Sequence, residues 1–376
     1  MNMIKHFFSC LFLACLPAFQ VPQAPAPKTA NAKIQVALLL DTSNSMDGLI
    51  DQAKAQLWKM VNKLSNAQNQ NQQVVMEIAL YEYGNSGLEA GEGYIRMVQG
   101  FGMDLDGVSE QLFKLKTNGG DEYCGWVIKD AVNNLKWSKD ADDLRIIVIA
   151  GNEPFDQGKV DYKESCELAA SKDIIINTIH CGDYETGVRT HWKDGSVIGK
   201  GQYMNINTDE KVIHIPTPYD ARILKCNELL NSTYIGYGSH GAQMKMRQEE
   251  QDMNAAEYGS ANIAQRSTAK AKASYNNATW DLVDAYEADD EFVENLDKKD
   301  LPDEYKDLSK EELTSKIEKL KSERIALQKE ILELEVKMEA FIAAEKAKMA
   351  GEASQTLDNV LIQAIVEQAE AKGFTF

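Results

Sequence analysis

The chain has 376 residues, 44% of them hydrophobic and 26% charged, ordinary globular values that allow one large core plus a second region. Lys and Arg number 40 against 58 Asp and Glu, a net charge of −18. Such a balance repels phosphate backbones and anionic lipid, so it argues against nucleic acid as a partner and for cations and basic protein surfaces.

Taken in chain order, residues 1–26 read as an export signal. Lys5 and His6 precede an apolar run from Phe7 to Phe19 that is too short to span a bilayer, and a Pro- and Ala-rich stretch follows. Two processing routes fit. Ala18, Ala24 or Ala26 could end a cleaved signal, or Cys15, after Phe12-Leu13-Ala14, could become a lipid-modified N-terminus. No other run is long and apolar enough to enter a membrane, so membrane contact would come through a lipid anchor alone. The expected location is the periplasm, cell envelope or exterior. Export would let Cys124, Cys166, Cys181 and Cys226 pair in three ways, or they could stay buried thiols.

From residue 33 to 240 apolar runs alternate with amphipathic segments. Ile34 to Leu40 is almost wholly apolar, as a strand covered on both faces requires. Asp47 to Leu64 carries Leu49, Ile50, Ala53, Leu57, Met60, Val61 and Leu64 at helical spacing. Val74 to Tyr83 alternates like a strand, with Tyr94 to Phe101 as a short antiparallel partner. Helices are expected around Val108 to Leu115, Trp126 to Leu135 and Val160 to Ala170. Leu144 to Ala150 and Asp173 to His180 read as buried strands, and a last strand lies within Tyr203 to Ile215. This alternation predicts a doubly wound, mostly parallel α/β sheet with helices on both faces.

The composition changes beyond that point. Residues 241–307 divide into a polar, Ala-rich helical stretch and an acid-dense run from Asp284 to Asp307, expected to be a solvated linker. Over residues 308–350, Leu313, Leu320, Leu327, Leu334 and Phe341 recur every seven residues, with Ile317, Ile331 and Met338 between them. That is a coiled-coil seam, interrupted by Arg324. It could join a homodimer, hold a second partner or close a hairpin; a long helix packed on its own chain is the plainer alternative. Residues 351–376 are expected to be a helical tail.

Chemistry concentrates at Asp41-Thr42-Ser43-Asn44-Ser45, where the first buried strand ends and a helix opens. Ligands collect at that end of open α/β sheets. One carboxylate and two hydroxyls at alternate positions can converge on a point. Such hard oxygen donors suit Mg2+ first, with Mn2+ or Ca2+ as alternatives, rather than zinc. The plainer reading makes Ser43 or Ser45 a helix cap.

Leu38-Leu-Leu-Asp41-Thr-Ser-Asn-Ser-Met46 resembles the opening of a von Willebrand factor A domain, over about Lys33 to Tyr237. The resemblance implies a Rossmann-like fold and a metal-ion-dependent adhesion site built from three loops. It further implies a protein partner whose acidic side chain completes the ion's shell. Asp41, Ser43 and Ser45 match the first loop. In the second, Gly119-Gly120 is followed by Asp121 where the family places Thr, which makes Asp121 the expected fourth ligand and Thr117 the runner-up. In the third, Ala150-Gly151-Asn152-Glu153-Pro154 puts Gly151 where the family has a second Asp. Asn152 or Glu153 is expected as an outer group around the ion; Asp183 is expected on the same rim, as a further outer group or, more plainly, a solvated loop acid.

Other signals are weaker. Gly236-Tyr-Gly238-Ser-His-Gly241 has glycines at dinucleotide spacing but follows the domain's last helix, and Tyr237 spoils a nucleophile elbow around Ser239. The histidines lack zinc-helix spacing. Without a nucleophile–base pair, no enzymatic activity is expected. An exported, metal-dependent protein-binding module with a coiled-coil tail is the leading expectation. A scaffolding envelope protein with an inert domain, binding through its tail, is the alternative.

Overall fold

Six strands form the central sheet of the computed structural model, which describes residues 31–70, 72–209, 214–348 and 357–376. They are β1 (Lys33–Asp41), β2 (Val75–Tyr83), β3 (Ile95–Gly102), β4 (Leu144–Gly151), β5 (Ile175–Cys181) and β6 (Lys200–Ile206). Their order is β3-β2-β1-β4-β5-β6, with β3 antiparallel to β2 and every other pair parallel. The export signal and Cys15 lie outside the described residues. Among those described, no helix is long and apolar enough to cross a membrane.

The periodicity of β1 shows why the sheet is covered on both faces. Ile34, Val36, Leu38 and Leu40 enter one core, with Leu49, Leu57 and Val61 of helix α1 (Asp47–Leu64). Ala37 and Leu39 enter the other, with Val127 and Ile128 of α3 (Cys124–Asn134) and Cys166 of α4 (Tyr162–Ser171). Alternate side chains of a strand point to opposite faces, so a strand sandwiched between helices must be apolar throughout. Helix α2 (Leu105–Lys114) follows β3. Short helices α5 (Tyr184–Arg189) and α6 (Trp192–Ile198) lie between β5 and β6, and α7 (Asp220–Asn231) comes after β6. The last strand starts and ends earlier than the sequence suggested. All four cysteines among the described residues are buried free thiols.

The region after residue 240 corrects two expectations. It comprises α8 (Gly241–Glu257), α9 (Ser260–Lys270), α10 (Leu282–Ala288), α11 (Phe292–Asn295), α12 (Lys310–Lys348) and α13 (Leu357–Ala371). First, the acid-dense run is no linker. Leu282, Val283, Val293 and Leu301 are buried with Leu313, Ile317 and Leu320 of α12, and the acids other than the buried Asp284 lie toward the outside of this small core.

Second, the heptad seam of α12 packs on its own chain. Leu313, Ile317, Leu320, Ile331 and Met338 are buried, with Leu327 and Leu334 half-buried, against α7, α9, α10 and α11. The stripe needed cover, and neighbouring helices supply it, so the coiled-coil strand and the homodimer through that seam give way to intramolecular packing. Arg324, the interruption, is buried. Its guanidinium donates to Asp281 at 2.6 Å, to Asp284, and to the Thr233 carbonyl at 2.7 Å, and it stacks 4.0 Å from the centre of the Tyr234 ring. The expected helical tail is a helix, and it docks on the sheet domain. Leu361, Ala364, Ile365 and Phe374 are buried in the core shared with α1 and β1. Phe374–Thr375 adds a strand to Gln68–Asn69.

A buried ionic cluster fastens α8 and α9 to the sheet domain. Arg266 donates to Asp252 at 2.6 Å and to Asp106 of α2 at 2.8 Å, while Lys270 reaches Asp252 at 3.0 Å. Asn227 and Asn231 of α7 each donate to Asp252 at 2.8 Å. Every charge in the cluster has an opposite partner, the condition for keeping ions inside a core.

Candidate metal centre

Asp41 ends β1 beside β4, at the point where the strand order reverses. In such sheets the loops on either side of the reversal part and leave a crevice at the carboxyl ends of the strands. Three loops meet there: the one opening α1, the one preceding α3, and the one following β4.

Asp41 has no exposed surface. One carboxylate oxygen, Oδ1, accepts the Ser43 amide at 2.7 Å, and no donor reaches Oδ2. Ser43 Oγ lies 3.3 Å from Ser45 Oγ, and Asn152 Nδ2 donates to Ser45 Oγ at 3.1 Å. The first and third loops are thus joined through Ser45, the one exposed hydroxyl of the three-residue motif.

The second-loop acid buried beside Asp41 is Glu122, whereas Asp121, the expected ligand, points outward. Glu122 is 2% exposed and its side chain lies beside those of Asp41 and Ser43. Its Oε2 accepts the Glu153 amide at 3.3 Å. Asp121 is exposed and accepts from the Tyr123 hydroxyl at 3.0 Å. The sequence pointed to an acid transferred to the second loop, and the loop's path turns in the neighbouring residue. The string Gly-Gly-Asp-Glu carries two adjacent acids, and nothing in it says which one faces inward.

Two glycines make this packing feasible. Gly84 has φ +79°, and a Cβ there would lie 2.7 Å from Asp41 Oδ1 and 2.8 Å from Glu122 Cγ. Gly151 rests directly on the site: its Cβ would meet the Tyr83 hydroxyl at 2.4 Å and Asp41 Cβ at 3.1 Å. The missing acid at Gly151 is therefore a steric consequence. Tyr83, fully buried and donating to the Ala150 carbonyl at 3.0 Å, occupies the space that a side chain would need.

The remaining expected residues are spread around the rim. The Thr117 hydroxyl donates to Asp47, Glu153 accepts from Gln157 at 3.2 Å, and Asp183 caps α5 by accepting the Thr186 amide at 3.0 Å. Asn152 reaches the site through Ser45, and its side-chain oxygen Oδ1 has no donor.

Burial first, then the adjacent Glu122, hold the Asp41 carboxyl well above the ordinary carboxylate range. Burial also raises Glu122, although contacts with Asp41, Ser43 and the Glu153 amide pull it the other way. Two carboxylates with hydroxyl neighbours and an oxygen without a donor fit a hard divalent cation, whose charge would balance both acids. Asp41, Glu122, Ser43 and Ser45 would hold it, with Asn152 beside them. Among the described residues, no group of three His, Cys, Asp or Glu side chains forms a metal cluster, so hydroxyls would have to supply part of the shell.

No family model matches the chain, and no curated protein does. Among solved structures it is similar to the conserved hypothetical protein BatB from Bacteroides thetaiotaomicron, at 16% identity over 46% of this chain and 90% of that one, with a TM-score of 0.35. It is similar to the SpRpn10 VWA domain at 15% identity, over 47% and 89% of the two chains, with a TM-score of 0.36. A third is proximal thread matrix protein 1 from the mussel byssus, with zinc occupying its MIDAS motif. That match has 10% identity over 48% and 43%, and a TM-score of 0.35. Within this chain itself, the strand-end Asp-x-Ser-x-Ser loop sits at the reversal point of a doubly wound sheet. The fold is a doubly wound, mostly parallel α/β sheet of the Rossmann-like kind. Its site departs from the expected pattern at two linked places, Glu122 and Gly151.

Proposed function

We propose that this protein is an exported, non-enzymatic binding module in which a divalent cation at Asp41 organises three loops into a face that holds a protein partner. The observation that carries the reading is the buried carboxylate pair of Asp41 and Glu122, with an Asp41 oxygen that no donor reaches. Two adjacent buried carboxylates are costly unless a proton or cation lies between them, and the surrounding hydroxyls suit a cation. Mg2+ is the ion we favour, with Mn2+ and Ca2+ next. Export rests on the character of residues 1–26, and Cys15 would supply a lipid anchor if that route is used.

Calorimetric titration of Mg2+, Mn2+ and Ca2+ into wild type and Asp41→Ala tests the site. Binding by wild type, lost in Asp41→Ala and kept in Asp121→Ala, is expected. Equal affinity in wild type and Asp41→Ala would place the ion elsewhere. Partner capture from envelope extract, compared with and without chelator, then tests whether the ion matters for binding.

A further inference from the structure

Glu122 is held in place more firmly than a loop acid needs to be. Its amide donates to Gln157 Oε1 at 3.2 Å and its carboxylate accepts the Glu153 amide at 3.3 Å. Both anchors belong to the loop after β4, so the second loop is tied to the third with the Glu122 carboxylate directed at Asp41. The φ of Gly84 and its missing side chain leave room for that approach.

We propose that Glu122 is an internal ligand: it fills, from this chain's own second loop, the place at the cation that an acidic side chain of a partner would otherwise take. This rests on the reading that the Asp41 site binds a divalent cation. Charge is the first argument. A divalent ion between Asp41 and Glu122 is already neutralised, so a third carboxylate would lose its hydration for little Coulombic return. Access is the second. Asp41 is 0%, Glu122 2% and Ser43 5% exposed, which leaves Ser45 as the ligating group open to solvent. The nearby loop residues Asp47, Asp121 and Glu153 are exposed acids, which repel an approaching carboxylate. The ion then clamps the loops together, and a partner is recognised by the acidic rim, which fits a Lys- or Arg-bearing surface.

Chemical rescue tests this in the full-length protein. Mg2+ is titrated calorimetrically into wild type, Glu122→Ala and Glu122→Gln, each with and without excess acetate. Wild-type affinity should be indifferent to acetate. Glu122→Ala should bind about 10–100-fold more weakly and recover with acetate, which fits the vacated place. Glu122→Gln should be equally weak but not rescued, because its amide fills that place; being isosteric, it also guards against a folding defect in the alanine variant. Wild-type affinity that rises with acetate would show an open shell and overturn the proposal. So would a Glu122→Ala affinity equal to wild type. If wild type binds no cation, the underlying cation reading fails as well, and that outcome is distinct from the other two.

Discussion

Gly151 shows how one residue can fix the chemistry of a site by being small. Its hydrogen faces the Tyr83 hydroxyl and the Asp41 side chain at distances no Cβ could tolerate. Gly151→Ala should therefore destabilise the protein by about 1–3 kcal/mol, the usual range for overpacking. Adding Tyr83→Phe removes the closest atom, so a double-mutant cycle followed by urea unfolding should show favourable coupling of about 1 kcal/mol. Strict additivity would mean that the strain is relieved elsewhere. Asp41 offers a second test. With chelator present, Asp41→Asn removes one of two adjacent buried charges and should stabilise the fold by about 0.5–2 kcal/mol, while cation binding disappears. A fall in thermal midpoint would show that the Asp41 negative charge serves the apo fold. At this scale the sequence brings Asp41, Ser43 and Ser45 to one strand end, where chemistry and punctuation coincide. It does not say that Glu122 is the buried acid beside them, because which of two adjacent acids turns inward depends on Gly84, Gln157 and the Glu153 amide. Those contacts lie 31 to 38 residues away along the chain.

Helix α12 was legible in its period and illegible in its surroundings. A stripe every 3.5 residues requires cover, but it does not specify whether a second copy or the same chain provides it. Arg324 was the discriminating residue, because a cation inside an apolar stripe needs a buried acid opposite. Asp281 and Asp284 meet it, at the start of a stretch whose acidity had suggested solvent. Arg324→Ala should cost about 3–5 kcal/mol, since two carboxylates would be left buried without a cation. Arg222→Ala removes a solvent-exposed pair with Glu330 on the outer side of the same helix and should cost far less than Arg324→Ala. Urea midpoints that do not separate the two variants would remove Arg324 as the anchor. The cluster joining α8, α9 and α2 makes a pH prediction. Burial alone would raise Asp252, but Lys270 and Arg266, helped by Asn231 and Asn227, outweigh it and hold the carboxyl well below the ordinary range. A depressed carboxyl contributes its stability above the unfolded value of about 4 and loses it as pH falls toward the folded value. Wild type should thus lose stability steeply below about pH 4. Asp252→Asn should start less stable at neutral pH and show a shallower slope there; an unchanged slope would mean that other carboxylates govern acid unfolding.

At the scale of the whole molecule, the sequence suggested an α/β domain with separate helical appendages, because composition changes sharply after residue 240. Composition reports what a segment exposes, whereas the partition into folding units depends on what it buries. Asn31 to Phe376 form one compact unit. A single apolar core runs from Ile34 and Ile146 in the sheet through Ile223 and Leu230 to Ile331 and Met338 of α12 and Leu361 and Ile365 of α13. Because the sheet and these helices share that core, α12 and α13 should not melt before the sheet. Calorimetric unfolding should give one transition whose measured enthalpy matches its van't Hoff enthalpy. Substitutions far apart in sequence should move that transition together. Ile146→Ala at the sheet centre, Ile331→Ala in α12 and Leu361→Ala in α13 should each lower stability by about 2–5 kcal/mol, the range for truncating a large buried aliphatic side chain. The values for Ile331 and Leu361 decide the matter, because a loosely attached tail would lose its fold with almost no effect on the main transition. An early separate transition in the Leu361→Ala variant, with the sheet melting unchanged, would restore the picture of a sheet domain with an independent helical tail.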